Sequence, residues 1–111
     1  MAAENITRDN IEAGSGAFQA RTEIVASGQN LKRGDVVKLD ANGKLAKIAT
    51  GDTPHGVMFE DVDATGGDKA GAIYYSGYAL VEDELDYGDG NADEFREALR
   101  ERGIILVKGV K

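Results

Sequence analysis

The stretch Val36 to Ile48, VVKLDANGKLAKI, constrains the fold more than any other part of the chain. Two short apolar runs flank Asp40-Ala41-Asn42-Gly43. Asn-Gly supplies the positive backbone dihedrals that a tight turn between antiparallel strands needs. The stretch therefore predicts a β-hairpin. Arg33-Gly34-Asp35 falls in the loop just before its first strand. An adhesive role for that tripeptide needs an exposed loop tip in an extracellular protein. The sequence favours an ordinary turn at Gly34, with Arg33 and Asp35 solvated.

Glycine extends the argument to the whole chain. There are 15 glycines and one proline in 111 residues. A single-domain length with so many turn residues points to short strands. In AFQARTEIVA, Phe18, Ala20, Thr22 and Ile24 share one face of an extended segment and Gln19, Arg21 and Glu23 share the other, which is the strand period. Val57 to Phe59 predicts a short strand. AGAIYYSGYALVE predicts a long one, with a bulge or bend at Gly77. Residues 61–68 form a polar, glycine-rich connection. Asn91 has the character of a helix N-cap, with Glu94 at capping-box spacing and Phe95, Ala98 and Leu99 on one stripe. A helix is predicted over Asn91–Arg102, ended by Gly103. The near-continuous run in GIILVKGV predicts a final strand buried on both faces. The fold class is α+β, a small β-rich domain with one late helix. Residues 1–16 read as a flexible arm before a single domain, 17–111. They hold Ile6 and Ile11 but no aromatic residue, too little to offset ordering costs of roughly 1–2 kcal/mol per residue. A short helical turn around Thr7–Ala13 is the alternative for part of this arm.

Chemistry is harder to find. The formal charge of −7 disfavours nucleic acid and anionic membrane surfaces as partners. No apolar run reaches eighteen residues, and the first residues lack the pattern of a secretory signal. With no cysteine and one histidine, zinc is not expected. His55 sits in a TPHG turn, and the sequence places no catalytic partner beside it. A calcium-loop register starting at Asp83 puts Gly88 and Glu94 correctly but Leu85 and Tyr87 at ligand positions, so it fails, and the acidic segment reads as a solvated turn. There is no phosphate loop and no nucleophile elbow. Tyr74, Tyr75 and Tyr78 lack surrounding basic residues and read as packing groups. Catalytic residues, cofactors and metals are all expected to be absent, and the chain is expected to act by binding.

Four segments in order carry a family resemblance: DVVKLDANGKLAKI, GDTPHGVMFEDVDATGG, GAIYYSGYALVEDEL, and the late helix followed by GIILVKGV. Across residues 17–111 the chain resembles the lambda-type head decoration proteins of tailed phages. That resemblance implies a barrel-like or β-tulip-like domain with no enzymatic activity. It implies a homotrimer on the outer surface of the expanded head, at local threefold positions, bound to the major capsid protein and cementing the shell against packaged DNA. It implies a virion protein made in the host cytoplasm, without nucleic acid or membrane partners. The arm is implied to order on the capsid as an added strand, with Ile6, Ile11, Phe18, Ala20, Thr22 and Ile24 as its contact residues here. Two alternatives remain open from the residues alone. One is a non-catalytic β-barrel adaptor or carrier module, with Lys44 beside the hairpin turn as the modifiable residue. The other is a small hydrolase fragment using His55 and an acidic partner.

Overall fold

A computed structural model describes residues 12–108, the side chains of residues 12–19 and of Tyr78 excepted. The strands are β1 (Glu12–Val25), β2 (Asn30–Leu31), β3 (Val36–Leu39), β4 (Leu45–Lys47), β5 (Gly56–Met58), β6 (Val62–Asp63), β7 (Lys69–Val81) and β8 (Ile104–Val107). A 3₁₀ turn at Glu82–Glu84 and one helix, α1 (Ala92–Glu101), lie between β7 and β8. The main sheet runs β1-β4-β3-β5-β7-β8, and β1 also pairs with β7. Five strands thus close into a barrel, with β8 added in parallel outside the ring. The β1–β4 seam is a single parallel pair, Val25 with Leu45, backed by the Ala26 N–H donating to Leu45 O at 2.9 Å. β2 and β6 form a separate two-stranded sheet.

Neighbouring residues of the central strands serve two different cores. Val37, Met58 and Ile73 pack inside the barrel with Val25, Leu45 and the β2–β6 residues Leu31 and Val62. Val36, Val57 and Tyr74 pack on the outer side with Phe95, Leu99, Ile104 and Leu106. β3, β5 and β7 are therefore apolar without alternation, because α1 and β8 cover their outer side.

The hairpin forms with a wider turn than Asn-Gly implied. Only Gly43 has a positive φ, 76°, and Asn42 does not share it. The Gly43 N–H donates to Asp40 O and the Asp40 N–H to Lys44 O, at 2.9 and 2.8 Å. That is a turn closed by one left-handed glycine, which suits a three-residue loop. The Asp40 carboxylate accepts from the N–H groups of Asn42 and Lys44.

The helix starts where the sequence placed it. The Asn91 side chain accepts from the Glu94 N–H at 3.0 Å, so Asn91 is the N-cap. The capping box does not close on itself. The Glu94 carboxylate instead accepts from the Thr50 hydroxyl and the Gly51 N–H, each at 2.7 Å, and ties the helix to the β4–β5 connection.

Several expectations change. Arg33 and Asp35 are not solvated ends of a free turn. Asp35 is 5% exposed, and its carboxylate accepts from the Lys32 N–H at 2.9 Å. The Arg33 Nη1 donates to Phe59 O at 2.6 Å. The tripeptide is woven into the fold and presents no adhesive tip. β8 is covered on one face only: Ile104 and Leu106 are buried while Ile105 is 43% exposed, because α1 lies on one side and β8 ends the sheet. The acidic turn is partly internal. Glu82 is 8% exposed and takes Arg96 at 2.8 Å and Lys108 at 3.4 Å, while Leu85 and Tyr87 belong to the outer core. β1 begins at Glu12, earlier than the alternation from Ala17 predicts. Its register against β7 shifts between Ser15 and Gln19, which pair with Tyr78 and Ser76, so the irregularity foreseen at Gly77 is present.

Two stability predictions follow from these contacts. Gly88 has φ +67°, and an added Cβ would lie 2.1 Å from the Ile48 carbonyl oxygen. Gly88→Ala is expected to cost about 3 kcal/mol or more, against about 1 kcal/mol for Asn91→Ala at the helix cap. Urea unfolding of both variants checks the order, and equal losses would contradict it. The Arg96 guanidinium, helped by Lys108, holds the Glu82 carboxyl below its usual value. A depressed folded value means the stabilisation is present above the normal carboxylate range and is lost as pH falls through the folded value. Glu82→Gln is therefore expected to lower the thermal midpoint at neutral pH, with the gap to the parent chain narrowing as the solution is acidified. A gap that stays constant would contradict it.

Candidate docking surface

β1 turns two unlike faces to its surroundings. Ala20, Thr22 and Ile24 are exposed, Ile24 at 43%. Across the ladder, Thr22 stands opposite Ala72 and Ile24 opposite Ala70. Paired residues share a face of a sheet, so these side chains make a patch of small and aliphatic groups. The patch ends at Tyr74, opposite Ala20, which is buried against Phe59 at a ring-centroid distance of 4.8 Å. Phe18 lies in the same strand, but its side chain is outside the described set, as are Ile6 and Ile11 altogether. Of the six predicted contact residues, the structure thus places Ala20, Thr22 and Ile24 together on one exposed face.

The other face of β1 is held down by charge and by the barrel core. Val25 is fully buried. The Glu23 carboxylate meets Nε2 of His55, with both oxygens at 3.0 Å. Arg102, the C-cap of α1, approaches the same imidazole from its other side. Its Nη2 lies 3.2 Å from Nδ1, and its Nε donates to the His55 carbonyl oxygen at 2.9 Å. A guanidinium has no acceptor, so Nδ1 accepts there and the ring proton sits on Nε2, donated to Glu23. Tyr75 completes the cluster: its ring centroid is 4.3 Å from the Arg21 guanidinium carbon and 5.2 Å from that of Arg102, and its ring meets His55 edge-on at 5.6 Å. Both imidazole nitrogens are occupied. The arrangement is a clamp joining β1, the approach to β5 and the end of α1.

The sequence singled out His55 but not its partners. Glu23 is 32 residues away and Arg102 is 47 away. Only closure of the barrel and docking of the helix bring them together, and no local pattern marks either. Beside His55, an open depression of about 260 Å³ is lined by Leu39, Thr53, Pro54 and Arg102. Among the described residues no group of three His, Asp or Glu side chains is arranged to hold a metal ion, and no helix is long and apolar enough to cross a membrane. The Lys44 ammonium is bound to the Asp68 carboxylate. That hydrogen bond raises its proton affinity and lowers that of Asp68.

The model of the bacteriophage lambda head decoration protein D family matches residues 4–104. A search of curated proteins found no match. The family match spans all of the barrel, the helix and the first residue of β8. With that coverage, the chain belongs to the bacteriophage lambda head decoration protein D family.

Proposed function

We propose that this protein is a structural component of the phage virion. It binds the outer surface of the expanded head as a homotrimer at local threefold positions, contacts the major capsid protein, and holds the shell against the pressure of packaged DNA. The observation that carries this reading is the family match over residues 4–104. The exposed face of β1 supports it: an apolar patch on an otherwise acidic chain is the kind of surface that a protein partner covers.

The route of attachment follows from the position of that patch. Residues 1–16 serve as the capsid-binding arm and 17–111 as the domain, with Ile6, Ile11, Phe18, Ala20, Thr22 and Ile24 as contacts. β1 pairs with β7 along one edge from Glu12 to Val25. Among the described residues its other edge is paired only at Val25. An edge of that length accepts or extends a strand from a partner. Three such arms on one trimer act at high effective concentration, so modest single contacts sum to tight binding. Synthesis in the host cell and assembly onto the head complete the reading, with no nucleic acid or membrane partner.

Co-sedimentation with expanded, undecorated heads of the cognate phage tests it. The full chain is expected to bind saturably, at three copies per threefold position, and to raise the heat resistance of the heads. A chain lacking residues 1–11 keeps all of β1 and is expected to bind at least tenfold more weakly. Equal binding by both would remove the arm from the account, and no binding by either would remove the decoration role. Ile24→Glu places a charge on the patch without entering the core. It is expected to weaken head binding tenfold or more while leaving the thermal midpoint of the free protein nearly unchanged. Full binding by this variant would show that the patch is not a contact.

A further inference from the structure

His55 sits between two ionic groups that ask opposite things of it. Glu23 accepts a hydrogen bond from Nε2, at 3.0 Å to each carboxylate oxygen. Arg102 donates to Nδ1 from Nη2, at 3.2 Å. Among the described residues, the charged and titratable groups facing the ring are Glu23 and, behind it, Arg21 on β1, Tyr75 on β7, and Arg102 after α1. Arg21 stands 3.7 Å from Glu23. The His55 and Glu23 side chains are 13% and 18% exposed, so neither group turns to bulk water easily.

We infer that His55 is a positioning residue for the docking strand and a proton-operated link: neutral, it joins Glu23 on β1 to Arg102 at the end of α1, and protonated, it keeps Glu23 and releases Arg102. The balance is simple. An added proton has one place to go, the Nδ1 lone pair that now accepts from Arg102. The imidazolium is then a donor at both nitrogens. Its Nε2–H bond to the carboxylate becomes charge-assisted and strengthens. Its Nδ1–H faces a guanidinium that has no acceptor, and two cations meet. Arg102 leaves the ring, and its position beside Tyr75 is disturbed.

The consequence deepens the docking reading above, because Glu23 lies between Thr22 and Ile24 on β1. In the neutral state the docking strand is tied to α1 through one imidazole. In the protonated state β1 keeps its pairing with β7 and its Glu23 anchor, and Arg102 keeps only its Nε bond to the His55 carbonyl oxygen.

The experiment uses the full chain, free in solution and labelled with ¹⁵N and ¹³C, so its failure is distinct from a failure to bind heads. Imidazole nitrogen shifts at pH 8 are expected to show the Nε2–H tautomer. On titration to about pH 5, the Arg102 Nε resonance is expected to move with the same midpoint as His55. Backbone amide protection is expected to fall at Arg102 and Gly103 and to persist at Thr22 to Ile24. His55→Gln presents an amide oxygen to Arg102 and an amide N–H to Glu23 but gains no proton, so the Arg102 transition is expected to vanish. Three outcomes overturn the inference: an Nδ1–H tautomer at pH 8, an Arg102 resonance indifferent to the His55 titration, or loss of protection on β1 together with the helix end. The parent-chain titration decides the matter even if the Gln variant does not fold.

Discussion

Burial on both sides of β3, β5 and β7 is the constraint on which the rest of this structure depends. Val36 and Val37, Val57 and Met58, and Ile73 and Tyr74 are adjacent in sequence, yet each pair is divided between the outer core and the barrel core. The barrel interior is narrow. At Gly71 an added Cβ would come within 2.7 Å of Val62 and 3.2 Å of Val25, and at Gly56 within 2.8 Å of the Tyr74 carbonyl. So small an interior buries too little on its own to balance the entropy of ordering a chain of this length. The second core, under α1, supplies the remainder. One helix cannot wrap a whole barrel, and the outer face of β1 is what it leaves bare.

The acidity of the chain takes on a different meaning in this light. A charge of −7 invites an explanation through long-range fields. Yet among the described residues eight aspartates spend a carboxylate oxygen on a backbone N–H in a turn or loop. Asp40, Asp63 and Asp86 cap the N–H groups of Asn42, Thr65 and Gly88, two residues on. Asp35 and Asp52 turn back to Lys32 and Ala49. Asp61, Asp68 and Asp89 reach across to Arg33, Ser27 and Thr50. In a fold made of short strands and many connections, loop N–H groups have no ladder to join, and aspartate is the shortest side chain that accepts from them. Much of the negative charge is therefore structural.

The same distinction between local and distant causes decides what could be read from the sequence. The hairpin around Gly43, the long strand with its break at Gly77, and the helix from its Asn91 cap to Gly103 were legible because each is specified within a few residues. β2 and β6 were not, since two-residue strands carry no period. The four apolar residues of β8 could not say how many layers would cover them, and Ile105 stands exposed where burial was expected. Asp35 and Glu82 looked like solvated charges because their partners, Lys47, Arg96 and Lys108, are 12 to 26 residues distant. On β1, the period-two pattern placed Ala20, Thr22 and Ile24 on one face, as the structure does. It could not say which way that group faces, because alternation is symmetric between the two sides of a strand.

The direction is set by the other half of the pattern. A slip of one residue along β7 would turn Arg21 and Glu23 outward and bring Ala20, Thr22 and Ile24 onto the barrel side. By hydrophobicity alone that alternative is attractive, since it buries an isoleucine and exposes the Glu23 carboxylate, Arg21 being half-exposed already. Val25 opposes it, because its place inside the barrel beside Leu45 would be lost. So does the clamp: Glu23 on His55, His55 on Arg102, and Arg21 and Arg102 at the Tyr75 ring. Each of those contacts needs Arg21 and Glu23 on the inner side in the observed register. The polar cluster thus fixes which face of β1 meets the outside. An apolar face is kept at the surface of this small barrel because a set of charges on its reverse leaves it no other place.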